Sequence, residues 1–255
     1  MKTVKEITSE LKVAQKYEEW MKEIEKDERA GVKKAWISWL NRYEKQKKII
    51  EEHNHKIQFD ASFRPFKGAY VAGVDEAGRG PLAGPVVTAA VILPEDSDAL
   101  MGVNDSKQLS KHTRAEFAHM IMEHAVAYSI HFQSVEAIDK YNIYEATKQS
   151  MKESILNLHT EPHFIIADAM EIPVNIPQSS IIKGDAKSLA IAAASILAKH
   201  ARDEYMEQLH KEFPEYGFDK HAGYGTSQHL DALEKFGPTE HHRKSFEPIK
   251  TMILK

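Results

Sequence analysis

The chain has 255 residues, 42% of them hydrophobic, no cysteine, and a formal net charge of -4. That size suits one ordinary domain with an appendage, or two small domains, with enough apolar sequence for a core. Disulfides and thiolate metal sites are excluded. No apolar run is long enough to span a bilayer, and the N-terminus lacks the apolar core of a signal peptide, so a soluble, cytoplasmic protein is expected, with no membrane partner and monomer as the default state.

Charge is unevenly spread. Residues 1–66 hold 15 Lys+Arg against 12 Asp+Glu, and the remainder holds 19 against 26. Helix is expected through residue 55, with capping-box spacing at Thr3 and Glu6 and a second helix from about Asp27. All three tryptophans, Trp20, Trp36 and Trp39, lie in this arm. They suit the core of a small helical hairpin, or a nucleic-acid contact among Lys33, Lys34, Lys45, Lys47 and Lys48. Residues 53–65 read as a linker, so the chain divides into a helical extension, 1–66, and a second domain, 67–255, ending in a helical C-terminal region.

From Phe66 the pattern changes. Residues 69–75 and 85–93 read as strands joined by a glycine-rich turn. Helices are expected at 110–124, 143–158, 185–205 and 227–236, and further strands at 126–132, 164–167 and 180–182. Early strands followed by alternating helices and strands imply an α/β layer fold with a mixed sheet.

Four acids sit against apolar sequence at expected element boundaries: Asp75 and Glu76 after the first strand, Asp168 after a later one, and Asp185 before an alanine-rich helix. Neighbouring side chains on a strand face opposite ways, so Asp75 and Glu76 share a site only if the strand breaks at Ala77-Gly78. Carboxylates gathered together repel unless cations intervene. Oxygen-only ligands favour Mg²⁺ or Mn²⁺, and two such ions about 4 Å apart suit phosphodiester hydrolysis. Structural alternatives are an N-cap for Asp185 and a turn role for Asp168. Gly78 to Gly84 is not a dinucleotide fingerprint: Pro81 interrupts it and a strand follows. Pro162 breaks any helical pairing of His159 with His163, and His53-Asn54-His55 and His241-His242 read as surface histidines.

Asp75-Glu76-Ala77-Gly78-Arg79-Gly80, Asn104-Asp105-Ser106-Lys107, the stretch from Lys183 to Asp203, and His221-Ala222-Gly223-Tyr224-Gly225-Thr226 together resemble the type 2 ribonucleases H, the ribonuclease HII family, from about Tyr70 to Phe246. The resemblance implies a ribonuclease H-like mixed sheet flanked by helices. It also implies cutting of RNA in RNA–DNA hybrids and of single ribonucleotides in duplex DNA, leaving 3′-hydroxyl and 5′-phosphate ends. By the same resemblance Asp75, Glu76, Asp168 and Asp185 are the metal-binding acids. Gly78, Arg79 and Gly80 then read the ribose 2′-hydroxyl, the group that marks RNA against DNA, and Tyr224 packs on the sugar. Lys107, Lys183, Lys187 and Lys199 are candidate phosphate contacts. The alternatives are a DNA resolvase of the same fold, which needs no ribose sensor, and a non-catalytic hybrid-binding protein, expected to have lost an acid.

Overall fold

The computed structural model describes residues 2–104, 106 and 109–254. They form two compact units, Met1–Asn54 and His55–Lys255.

The first unit contains α1 (Val4–Val13), the single turn α2 (Met21–Ile24) and most of α3 (Ala30–Ala61). The capping box starts α1: Glu6 N donates to Thr3 Oγ1 at 3.3 Å, and Thr3 N to the Glu6 carboxylate at 2.7 Å. Helix is not continuous to residue 55, because the chain unwinds after Val13 and again before Ala30. The core is Ile7, Leu11, Met21, Ile24, Val32, Trp36 and Trp39. Trp36 and Trp39 stack at 5.0 Å, Trp39 and Tyr43 at 5.1 Å, and Trp39 Nε1 donates to Ala14 O. Each such buried side chain contributes roughly 1.5–3 kcal/mol. The exposed pairs Lys33–Glu28, Lys47–Glu51 and Lys48–Glu52 add at most about 1 kcal/mol apiece, so apolar packing holds this unit together. The expected linker at 53–65 is a correction: α3 continues to Ala61.

In the second unit β1 (Val71–Ala77), β2 (Val86–Ile92) and β3 (Ala127–Gln133) form an antiparallel meander, while β4 (Phe164–Asp168) and β5 (Gln178–Ile181) add in parallel. The order is β3-β2-β1-β4-β5, so the expected mixed sheet is present. The helices are α4 (Lys111–His124), α5 (Val135–Leu156), α6 (Gly184–Lys187), α7 (Leu189–Glu212), α8 (Phe218–His221), α9 (Ser227–Phe236) and α10 (Ile249–Ile253). Ser110, Ser134, Ser188 and Thr226 cap α4, α5, α7 and α9 by accepting from a backbone amide, satisfying donors that the helix leaves open. Asn142 interrupts α5 at φ 67°, and its side chain recaps the second half through Tyr144 N and Glu145 N.

Strand alternation assigns the faces. Ala72, Val74, Ala90 and Ile92 pack with Met151 and Ile155 of α5. Ala89 and Val91 pack on the other face with α7 and with Ala118 and Ile121 of α4. A Cβ on Gly73 would lie 2.2 Å from the Ala190 carbonyl carbon, so α7 approaches β1 backbone to backbone. Its alanine-rich first half, residues 189–198, suits that approach, being apolar but for Ser195 and buried on every side. Among the described residues, no helix is long and apolar enough to cross a membrane.

Candidate active site

Register places the first two acids. Val74 pairs with Ala167 in the parallel β1–β4 ladder, so Asp75 and Asp168 follow at the same level on adjacent strands. Both point to the α7 side, where Ser195 hydrogen-bonds the Asp75 carboxyl. Ser195 in turn shares a 3.0 Å hydroxyl contact with Ser106, whose carbonyl accepts from Arg114. Asp75 is 5% exposed. Burial pushes its pKa well above the ordinary carboxyl value, and the charges of Glu76 and Asp168 push it further; Ser195 and the Glu76 amide oppose this.

β1 ends at the break expected at Ala77-Gly78, two residues past the strand end expected at Asp75. β1 runs on to Ala77, with Glu76 paired to Thr88 of β2. Both acids lie beyond the last β1–β4 pairing, Val74 with Ala167, and the Glu76 charge acts on Asp75. The Glu76 carboxylate meets Arg79 at 3.4 Å. Asp168 Oδ1 accepts from Gly184 N at 2.8 Å, which brings the chain carrying Asp185 up to the end of β4. The alanine-rich helix does not start at Asp185. Ser188 caps α7, accepting from Ile191 N at 3.0 Å, so Asp185 is not its N-cap; it sits half-buried in α6, its Oδ1 accepting from Ala186 N.

The structure therefore brings Asp75, Glu76 and Asp168 within electrostatic reach, with Asp185 joined to Asp168 through Gly184. Among the described residues, no three carboxylate or imidazole groups converge on one ion position. Like charges repel, and each acid has taken a donor of its own. The donor set still fits a hard divalent cation. It is all oxygen, and it includes a buried carboxyl whose ionised form two neighbouring acids disfavour.

The glycine loop is held by two buried arginines that the sequence reading missed. Arg243 donates through Nε and one terminal nitrogen to Gly84 O, and reaches Gly78 O at 2.6 Å and Arg79 O at 2.9 Å. Arg202 donates to Pro85 O, Ala83 O and Ala222 O. Burial lowers both pKa values, to about 10 for Arg202 and about 9 for Arg243, where Arg202 adds to the effect. Gly78 has φ 91°, and a Cβ there would lie 1.9 Å from Arg202 Nε; no other residue fits.

Tyr224 is 49% exposed, and a Cβ on Gly80 would lie 3.5 Å from its ring. The loop and the tyrosine are thus neighbours, as the sequence reading requires of a shared ribose contact. The Tyr224 carbonyl meets His229 Nδ1 at 3.0 Å. His242, read from sequence as a surface residue, is fully buried against His229, and His53 is buried as well. Lys183 and Lys187 are exposed. Lys199 instead pairs with Asp203, which also holds Arg114. Lys107 lies outside the described residues.

The ribonuclease HII family model matches residues 72–249, and a ribonuclease HII N-terminal domain model matches residues 3–64. This chain belongs to the ribonuclease HII family. A ribonuclease HII of Bacillus mycoides is 50% identical over 230 residues, covering 90% of this chain and 89% of that one. Among solved structures, the ribonuclease H2 of Pyrococcus horikoshii superimposes with a TM-score of 0.63 at 26% identity, over 72% of this chain and 96% of that one. Bst-RNase HIII in complex with Mn²⁺ shares the fold, with a TM-score of 0.59 at 20% identity over 77% of this chain and 72% of that one. The chain is a metal-dependent hydrolase, an endoribonuclease of the ribonuclease H type.

Proposed function

We propose that this ribonuclease HII cleaves both the RNA strand of RNA–DNA hybrids and single ribonucleotides embedded in duplex DNA, leaving 3′-hydroxyl and 5′-phosphate ends. Asp75, Glu76, Asp168 and Asp185 would hold Mg²⁺ or Mn²⁺. When bound, the ions supply positive charge that lets the carboxylates stay ionised together and that favours water attack on phosphorus. Asp75 carries the reading: it is buried, raised in pKa by Glu76 and Asp168, and needs a cation to work as a carboxylate.

The protein's own groups select the strand. Backbone atoms of Gly78, Arg79 and Gly80 take the 2′-hydroxyl, and the Tyr224 ring beside Gly80 covers the sugar. Arg202 and Arg243 set the loop's shape before substrate arrives, which lowers the ordering cost of binding. Lys183 and Lys187, both exposed, would meet phosphates; Lys199 is better explained by its ion pair. In the extension, 1–66, buried Trp36 and Trp39 belong to packing, so any nucleic-acid contact there falls to lysines.

The test is cleavage of a DNA duplex carrying one ribonucleotide beside an all-DNA control, with Mg²⁺, Mn²⁺ or excess EDTA. Cutting only beside the ribonucleotide, and only with metal, is expected. Tyr224→Ala should weaken that cut. Equal cutting of the all-DNA duplex would make the protein a resolvase, and tight hybrid binding with no cutting would make it a binding protein.

A further inference from the structure

α3 ends with a buried lysine and a half-buried aspartate one helical turn apart, a spacing that puts them on one face. Lys56 is 5% exposed. Its ammonium donates to Asn104 Oδ1 at 3.0 Å, Asp185 O at 3.2 Å and Val103 O at 3.4 Å. Asp60 Oδ2 accepts from Ala190 N at 2.9 Å, in the first turn of α7. A carboxylate there complements both the open amide and the helix dipole.

These contacts bracket one short segment. Lys183 is left-handed at φ 55° and Ser188 is extended, with only the four residues of α6 between them. So short a turn has little stiffness of its own. On one side it is fixed by Gly184 N on Asp168. On the other, Lys56 grips the Asp185 carbonyl and Asp60 grips the start of α7. Lys56 also holds Val103 and Asn104, two residues before Ser106, which backs Ser195 and through it Asp75. One ammonium therefore ties the backbone that carries Asp185 to the strut behind Asp75. A buried ammonium is costly to desolvate, and an apolar side chain of similar length would fill the volume at less cost. Three donors on a point charge, however, suit three converging oxygens.

We propose that Lys56 and Asp60 are positioning residues for Asp185, holding from both sides the α6–α7 junction on which it sits. The inference rests on the proposed metal-binding role of Asp185. A chain beginning near Phe66 would lack both residues.

The experiment uses full-length protein. Mn²⁺ binding is measured by titration calorimetry without substrate, alongside kcat, KM and metal-free Tm, for wild type, Lys56→Met, Lys56→Arg, Asp60→Asn, Asp60→Ala and Asp185→Asn. Lys56→Met and Asp60→Ala should each weaken Mn²⁺ binding and lower kcat about 10-fold or more, the usual effect of losing a ligand's support. KM should hold within about twofold, since phosphate and sugar contacts are untouched. Asp60→Asn keeps an acceptor oxygen and should fall between Asp60→Ala and wild type, and Lys56→Arg between Lys56→Met and wild type. If Lys56→Met fails to fold, those two conservative variants and Asp60→Ala carry the test. Mn²⁺ affinity and kcat both at wild-type level in Asp60→Ala and in the folded Lys56 variants would overturn the inference. Where Asp185→Asn loses both but these variants lose neither, only the brace is wrong. Where Asp185→Asn also keeps both, the metal-site assignment itself is wrong.

Discussion

His229 Nε2 lies 3.0 Å from His242 Nε2, and both rings are fully buried. The partners at either end fix the direction of this bond. The Tyr224 carbonyl can only accept, so His229 Nδ1 donates to it and His229 Nε2 accepts from His242. His242 Nδ1 then accepts from Thr239 N at 2.9 Å. The relay from Thr239 to Tyr224 needs both imidazoles neutral.

Burial lowers both histidine pKa values, and for His242 the neighbouring His229 and His241 help to take it from 6.5 to about 3. Below 6.5 the unfolded chain binds a proton that folded His242 refuses until about pH 3, so stability falls as pH drops through that window. The slope from one such group approaches about 1.4 kcal/mol per pH unit. Urea unfolding followed from about pH 8 to 4 should show a shallower acid loss in His242→Asn than in wild type. Equal slopes would mean that His242 accepts a proton in the folded state.

Arg243 predicts a different failure. It is fully buried, and its guanidinium is the donor to the carbonyls of Gly78, Arg79 and Gly84. Arg243→Met would leave those oxygens short of donors, at about 1–3 kcal/mol for each one kept from water. A stability loss of at least about 3 kcal/mol is expected, together with a loss of cutting at single ribonucleotides, because the loop no longer holds its shape. Arg243→Lys should rescue little, since a point charge cannot span three carbonyls as the planar fork does. Full activity and stability in Arg243→Lys would show that charge alone matters there.

Gly78→Ala tests the same loop from the other side. The positive φ strains any side chain, and the added methyl would collide with Arg202 Nε. Arg202 cannot move without releasing Pro85 O, Ala83 O and Ala222 O. Destabilisation beyond the roughly 1–2 kcal/mol of left-handed strain alone is expected. A smaller loss, read from urea unfolding, would show that Arg202 has room to shift.

Much of the sheet was legible in the sequence because apolar runs end at glycine, proline or acid, and local chemistry alone marks such ends. The start of helix at Ile143 was readable for the same kind of reason, since Asn142 recaps α5 just before it. Asp75 and Asp168 stood out as acids against apolar strands. Their shared level, however, depends on the Val74–Ala167 pairing, a contact between distant segments that no local pattern encodes. Lys56, Asp60, Arg202 and Arg243 look like solvated charges in sequence. Only tertiary burial sets them apart, and hydrogen-bond partners far along the chain make that burial tolerable. His242 was misread for this reason, and residues 53–65 read as a linker because their apolar positions are few and Pro65 ends the stretch.

Asp75 carries the clearest conflict between stability and function. Burial and the neighbouring Glu76 and Asp168 all disfavour its ionised form, so in metal-free protein its charge is a burden on the fold. Asp75→Asn keeps the shape and an oxygen for the Glu76 amide, which Asp75 Oδ1 accepts at 2.8 Å, while removing that charge. Metal-free Tm should therefore rise or hold, whereas cleavage should fall about 100-fold or more if Asp75 holds the metal as proposed. Added Mn²⁺ should raise the Tm of wild type more than that of Asp75→Asn, since a ligand that binds only the folded state stabilises it in proportion to its affinity. The measurement is thermal unfolding of both proteins with and without Mn²⁺, at a pH near 8. A variant that loses Tm without metal, yet gains as much from Mn²⁺ as wild type does, would make Asp75 a structural acid and move the metal site elsewhere.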